Sequence, residues 1–364
     1  PPPYHTGEKG MTDEALLSAL PGLLLPWFSA HRRELPWRAD REPYHVWLSE
    51  IMLQQTRVEA VRDCYLRFLR ALPTVEALAS ADEGLLLKLW EGLGYYTRVR
   101  NLQRAAQEIV RRGAFPRDHA EVLSLPGIGA YTAGAICSIC FEQPTAAVDG
   151  NVLRVLTRYL ASPASISEER TKKQFAAQLS AVYPLGHCGE FTQALMELGA
   201  TVCLPNGAPL CDGCPLAEHC RAKAQGQQLS YPVKAKKRPR RVEERTVLLL
   251  RCGERIAVCR RPKKGLLAGL WQLPDTEGTL TAQQALELAA AWRTHPIGLE
   301  RTVRRKHIFT HVEWDMTGVW LQCAAMPEQF SWFTTEQLRE TIGLPTAYRQ
   351  FLTEYYKEDH QNGG

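Results

Sequence analysis

Between Leu125 and Asn151 the chain reads LPGIGAYTAGAICSICFEQPTAAVDGN, and no other stretch restricts the fold as much. Pro126, Gly127 and Gly129 interrupt two helical patterns, HAEVLSL before and AYTAGAICSIC after. The spacing predicts a helix–hairpin–helix over about residues 119–140, not a loop between strands. Gly127 and Gly129 let the backbone come close to a DNA phosphate, and the helix that starts there points unpaired N–H groups at the anion. A PGIG turn also joins helices that bind nothing. Its weight comes from its company: Asp149, an upstream Glu50, and four cysteines between Cys203 and Cys220.

At 364 residues the chain is long enough for two domains with ordinary cores. Its 45% apolar and 23% charged residues describe a soluble globular protein. No apolar run approaches the roughly 20 residues of a membrane span, and Leu16–Phe28 is broken by Pro21 and Pro26. Residues 1–10 show no signal-peptide pattern and are set aside as a tail, with Met11 a candidate start. A net charge of +5 and a pI near 8.6 permit nucleic-acid binding without demonstrating it. Of 11 cysteines, four crowd into 18 residues. Without an export signal, free thiols plus a metal site are expected in a reducing compartment, the cytoplasm (nucleoid) or a nucleus.

From Thr12 to about Lys223 the pattern is helical throughout. Leu48, Ile51, Met52, Val58, Val61, Tyr65, Leu66 and Leu69 predict one amphipathic helix over Val46–Leu69. Gln225–Arg241 loses its apolar face and carries Lys234, Lys236, Lys237, Arg238, Arg240 and Arg241. It reads as an exposed basic linker, either crossing a phosphate backbone or simply solvated. After Glu243, RTVLLLRC and RIAVCRR pair about a Gly-Glu turn, HVEWDMTGVWLQC alternates as a further strand, and Ala282–Trp292 and Thr335–Glu340 look helical. The expected organisation is an all-α domain over 11–224, a linker over 225–242, a smaller α/β domain over 243–358 and a tail over 359–364.

Cys203, Cys211, Cys214 and Cys220 follow C-x7-C-x2-C-x5-C. Four thiolates this close hold either a tetrahedral zinc or a 4Fe–4S cluster. Zinc ribbons present two separated C-x2-C knuckles and one is present here, so the iron–sulfur cluster suits the spacing better. His219 is read as a surface or supporting residue, and Arg221 and Lys223 as a sign that the loop docks onto DNA. Cys137 and Cys140 fall on an apolar helical face and read as buried thiols. Glu50 shares an edge with Leu53, Gln54 and Arg57, where an acid ordinarily pairs in solvent. Asp149 stands where a helix N-cap belongs. Singly, neither residue indicates catalysis.

Together these features match a known pattern. LPWR (Leu35–Arg38), PYHVWLSEIMLQQTRV (Pro43–Val58), EGLGYYTRVRNL (Glu91–Leu102), LPGIGAYTAGAI, VDGNVLRV (Val148–Val155) and the cysteine set resemble the helix–hairpin–helix base-excision glycosylases, and within them the MutY-type adenine glycosylases. The first cysteine gap is seven residues where the family usually has six. The resemblance implies removal of adenine mispaired with 8-oxoguanine or guanine in double-stranded DNA, by a monomer that leaves an abasic site. It implies that Glu50 is the acid protonating N7 of the base, and that Asp149, oriented by Asn151, stabilises the oxocarbenium ion. Endonuclease III-like relatives carry a Schiff-base lysine where this chain has Tyr131, so strong lyase activity is not expected. Tyr131 is expected to line the pocket and hydrogen-bond Asp149. Gln55, Thr56, Leu93 and Tyr95 map onto the segments that fill the hole left by the extruded base. Arg33, Trp37, Arg38 and Leu53 are further pocket or backbone contacts.

Gly265–Pro274, GLLAGLWQLP, resembles part of a Nudix-fold domain of the MutT kind. The REx2EE metal-binding helix is missing; Glu277 and Glu287 are the acids present, so pyrophosphatase activity is not expected. In the MutY-type enzymes this domain reads 8-oxoguanine through a Phe-Ser-His loop, and Phe309-Thr310-His311 matches it, with Thr310 as the main contact. The competing readings are an endonuclease III-like pyrimidine glycosylase with lyase activity, a non-catalytic iron–sulfur DNA-binding module, and nucleotide hydrolysis by the C-terminal domain.

Overall fold

The computed structural model describes residues 11–235 and 239–353. The expected tails over 1–10 and 359–364, and Lys236, Lys237 and Arg238 of the expected linker, lie outside the described residues. The first helix, α1 (Asp13–His31), is capped by Thr12, whose hydroxyl accepts from the Ala15 N–H. The two prolines that interrupt its apolar run, Pro21 and Pro26, do not interrupt the helix. Each proline removes a backbone donor, but the stripe Leu16, Leu17, Leu20, Leu24 and Phe28 is buried in the core, which holds the helix together. Fully burying side chains of this size contributes about 1.5–3 kcal/mol each.

The predicted single helix over Val46–Leu69 is two helices, α2 (Pro43–Leu53) and α3 (Val58–Ala71). Gln55 has φ 58° and the Thr56 N–H turns back to the Leu53 carbonyl, which ends α2. Both halves carry the same three- and four-residue period, so apolar spacing does not register the interruption. Then follow α4 (Val75–Ser80), α5 (Glu83–Leu89), α6 (Thr97–Arg112), α7 (His119–Leu123), α8 (Ala130–Phe141), α9 (Gly150–Tyr159), α10 (Glu169–Ser180), α11 (Cys188–Thr201) and the short α12 (Arg221–Ala224).

Helices α7 and α8 are the expected hairpin pair. Gly127 between them has φ 76°, and a Cβ there would come within 2.6 Å of the Asn101 Cβ, so both conformation and space require glycine. Helix α8 is buried over most of its length, with Gly134 against the Ala146 carbonyl.

The sheet contains β1 (Arg241–Cys252), β2 (Arg255–Arg260), β3 (Trp271–Gln272), β4 (Asp275–Glu277), β5 (Pro296–Ile308), β6 (Val312–Cys323) and β7 (Ser331–Thr334). Its order is β3-β2-β1-β6-β5, with β4 paired to β1 and β7 to β2. Strands β1 and β6 are parallel, and the other pairs antiparallel. Helix α13 (Ala282–Ala291), begun by a Thr281–Gln284 capping box, covers one face through Ala285 and Ala289 against Leu248, Leu250, Val319 and Leu321. Residues of α14 (Thr335–Glu340) and α15 (Thr346–Arg349) cover the other, around Trp314, Met316 and Trp320.

Two compact units emerge. One comprises the described residues up to Val58, Thr74–Ala79, and residues 101–235. The other comprises Glu59–Pro73, Ser80–Arg100 and the described residues from 239 onward. Within the second, the Glu91 carboxylate accepts the Leu344 N–H at 3.0 Å and pairs with Arg349 at 3.3 Å, tying α5's end to the sheet's cover.

Candidate active site

Helix α2 carries Glu50 on the wall of a cavity of about 600 Å³ in the first unit. Asp149, Tyr131 and Asn151 line the same cavity, as do Arg33, Trp37, Arg38, Leu53, Gln55 and Thr56. Its size is that of an ordinary small-molecule pocket, roughly 300–1,000 Å³. Glu50 is 6% exposed, so it is not the solvated acid its helical position suggested. The Tyr131 hydroxyl donates to Glu50 Oε2, and so Tyr131 pairs with Glu50 rather than with Asp149 as expected. Burial pushes the Glu50 carboxyl up to about 7, against the Tyr131 hydrogen bond, and the nearby Asp149 adds to the rise.

Asp149 is the N-cap of α9 and also faces the cavity: the two readings of this residue coincide. One carboxylate oxygen accepts the Val152 N–H at 2.7 Å and the other the Asn151 side-chain amide at 2.8 Å. Burial raises its pKa, while these donors and the Arg154 cation favour the anion. Burial raises both carboxyls, Glu50 to about 7, and Asp149 is the one held by a backbone N–H and a side-chain amide.

Two residues of this site were not anticipated. Glu197 on α11, 1% exposed, receives Arg33 Nε at 2.7 Å and Arg38 Nη2 at 2.8 Å. Burial pushes its carboxyl up, but the two guanidiniums outweigh that and hold it below the usual range. An acid inside the apolar run FTQALMELGA was the available signal. Arg154 donates to the Asn151 side-chain oxygen at 2.8 Å, the Gly199 carbonyl at 2.6 Å and the Cys203 carbonyl at 2.7 Å. It therefore joins the residue that holds Asp149 to the start of the cysteine loop.

Cys203, Cys211, Cys214 and Cys220 line one cavity, walled by Val155, Tyr159, Leu198 and Leu216. Burial pushes the Cys214 thiol up to about 12 and raises Cys220 as well. Arg158 Nη1 stands 3.3 Å from Cys203 Sγ. The seven-residue gap is absorbed by a turn in which the Leu210 N–H bonds the Val202 carbonyl at 2.9 Å. Arg221 pairs with Asp13 at 2.5 Å and donates to the Met11 carbonyl at 2.7 Å. His219 is half-buried, Cys137 buried and Cys140 half-buried.

In the second unit, Leu93 is 5% exposed and Tyr95, with φ 46°, is 47% exposed. Of that expected pair, Tyr95 is the one presented to solvent; Leu93 packs inward because its loop closes on Trp90, whose indole N–H donates to the Gly94 carbonyl at 3.0 Å. The Tyr95 hydroxyl lies 2.6 Å from Thr310 Oγ1. Thr310 and His311 are exposed, whereas Phe309 is half-buried against Trp314. Glu277 and Glu287 are both exposed.

Residues 48–180 match the HhH-GPD superfamily of base excision DNA repair proteins, and residues 246–354 a NUDIX domain. The adenine DNA glycosylase of Homo sapiens is 34% identical over 94% of this chain and 75% of its own length. That of Buchnera aphidicola subsp. Baizongia pistaciae is 30% identical over 92% of this chain and 96% of its own. The chain belongs to the adenine DNA glycosylases. A thermostable thymine-DNA glycosylase structure superposes with a TM-score of 0.53 at 26% identity, covering 58% of this chain and 97% of that one. The fold class expected from the sequence, an all-α glycosylase domain followed by a smaller Nudix-like α/β domain, is the one this glycosylase has. Among its described residues no helix is long and apolar enough to cross a membrane.

Proposed function

We propose that this adenine DNA glycosylase excises adenine paired with 8-oxoguanine or guanine in double-stranded DNA by hydrolysis alone, leaving an abasic site. The observation that carries the reading is that Glu50 and Asp149 face one cavity, Glu50 buried with its carboxyl raised to about 7 and Asp149 held by the Val152 N–H and the Asn151 amide. Protonated Glu50 gives its proton to N7 of an extruded adenine, and the glycosidic bond breaks with its electron pair leaving on the base. The Asp149 carboxylate, held by Val152 and Asn151, stabilises the sugar cation that remains. Water adds to the anomeric carbon, and the proton it loses restores the starting charge of the acid pair. Tyr131 positions Glu50 and supplies no amine, so the strand is not cut through an imine.

Gly127 and Gly129 contact the DNA backbone in this reading, while Gln55, Thr56 and Tyr95 fill the space left by the base. Arg33 and Arg38, fixed by Glu197, face the adenine. Thr310, with Phe309 and His311 beside it, meets the 8-oxoguanine edge. Cys203, Cys211, Cys214 and Cys220 hold a 4Fe–4S cluster. All four cysteines line one largely apolar cavity walled by Val155, Tyr159, Leu198 and Leu216, and four thiolates are the ligand set such a cluster takes. When bound, the cluster supplies a cross-link for the loop after α11.

Single-turnover adenine release from an 8-oxoguanine·adenine duplex tests the chemistry. Wild type releases adenine without nicking the strand, and Glu50→Gln and Asp149→Asn each bind the duplex but release adenine at least 100-fold more slowly, in the range of a lost general acid. Undiminished release by either variant removes that residue from the mechanism.

A further inference from the structure

The turn that presents Thr310 stands on a buried ionic assembly. The Phe309 N–H bonds the Val312 carbonyl at 2.8 Å, closing the turn, and the Phe309 ring meets Trp314 edge-on at 4.8 Å. Trp314 is 1% exposed, and its indole N–H donates to Glu243 at 2.9 Å. Two guanidiniums lie over its ring, Arg245 at 4.8 Å and Arg261 at 5.4 Å. Arg245 is held by Asp275 at 2.8 Å, in a pair whose side chains are 11% and 4% exposed. Tyr348 donates to the same carboxylate at 2.9 Å and receives Arg261 Nη1 at 2.8 Å.

Burying an ion pair costs desolvation that its attraction seldom exceeds, and an apolar replacement is often as stable or more so. Stability alone therefore does not account for these charges under a surface turn. Their geometry does. Asp275 and Tyr348 fix the arginines, the arginines fix the indole plane by cation–π contact, and the indole fixes the Phe309 ring. Thr310 is the next residue, so its height above the surface follows from that of Phe309.

We propose that Arg245, seated on Asp275, is a positioning residue for discrimination of the base opposite adenine, acting through Trp314 and Phe309 on Thr310. The inference rests on the reading of Thr310 as the 8-oxoguanine contact. It predicts that the assembly matters for an oxidised partner base and is indifferent to the excision step.

The test compares single-turnover adenine release from 8-oxoguanine·adenine and guanine·adenine duplexes by the full-length protein. Arg245→Met, which keeps the length of the side chain and loses its charge, is expected to lower the preference for 8-oxoguanine about tenfold, the worth of one well-placed hydrogen bond. Its rate on guanine·adenine stays within about twofold, while its melting temperature falls because Asp275 is left buried without that partner, so both duplexes are compared well below that temperature. Arg245→Lys, which keeps a cation over the ring, recovers part of the preference. Thr310→Ala is the control for the underlying reading. If Thr310→Ala leaves the preference intact, the reading of the turn is wrong whatever Arg245 does. If Thr310→Ala lowers it and Arg245→Met does not, the reading stands and the positioning role is overturned. Should Arg245→Met fail to fold, Asp275→Asn carries the same expectation, because it releases Arg245 without removing it.

Discussion

Glu50 shows how a residue's chemistry is decided by its surroundings. Its carboxyl is raised from 4.5 to about 7, chiefly by burial, so the folded protein binds its proton more tightly than the unfolded chain does. Any stability this confers is complete below pH 4.5 and is lost as pH rises through about 7. At pH 8 the folded state therefore bears the cost of an ionised buried acid, at most about 3 kcal/mol. Glu50→Gln should raise the melting temperature at pH 8 and change it little at pH 4.5, while abolishing excision; a lower melting temperature at pH 8 contradicts the burial argument. The wild-type excision rate should fall as pH rises through about 7, where the acid loses its proton, and a flat profile to pH 9 would show that Glu50 does not act as the acid. The sequence identified Glu50 and Asp149 through resemblance, and the Asp149 cap was legible from its place before a helix. The partner of Tyr131 was not legible, because Glu50 and Tyr131 are 81 residues apart and their contact exists only after α2 and α8 pack.

Among the elements, the contact of α9 with α11 sets Asp149 in place. A Cβ on Gly199 would come within 2.6 Å of the Asn151 Cβ and 3.1 Å of its Cα, at the first turn of α9. Gly199→Ala should therefore push that turn away from α11, costing about 1–3 kcal/mol of stability by overpacking. The excision rate should fall by more than the stability loss explains, as measured in single turnover well below the melting temperature. A variant with wild-type rate would mean that Asp149 is set by α9 alone. Glu197 belongs to this scale too: it is one acid among apolar neighbours on α11, and its two arginines lie 164 and 159 residues away. Periodicity located α11 without indicating that its acid is an anchor. The break between α2 and α3 escaped for the complementary reason, since one apolar period runs through both.

For the molecule as a whole, the compact units do not follow the chain's linear order. Helical residues 59–73 and 80–100 cluster with the sheet. Lys88 donates to the Arg339 carbonyl at 2.5 Å, and Glu91 receives both Leu344 N–H and Arg349. A chain ending at residue 230 should thus lose more than the base contact proposed for Thr310. Its melting temperature should also fall, by calorimetry, because Glu91 and the apolar surface beside it lose their cover; an unchanged melting temperature would show the helices to be self-sufficient. The sequence by itself determined what depends on neighbours along the chain: helical and strand periods, the glycine hairpin, the Asp149 cap, the cysteine spacing and the absent Nudix acids. The tertiary structure decided what depends on packing, namely the proton on Glu50, the Tyr131 and Glu197 partnerships, the uninterrupted α1 and the assembly beneath Phe309. Local preferences act within a few residues, whereas desolvation and long-range pairing arise once distant segments exclude water together.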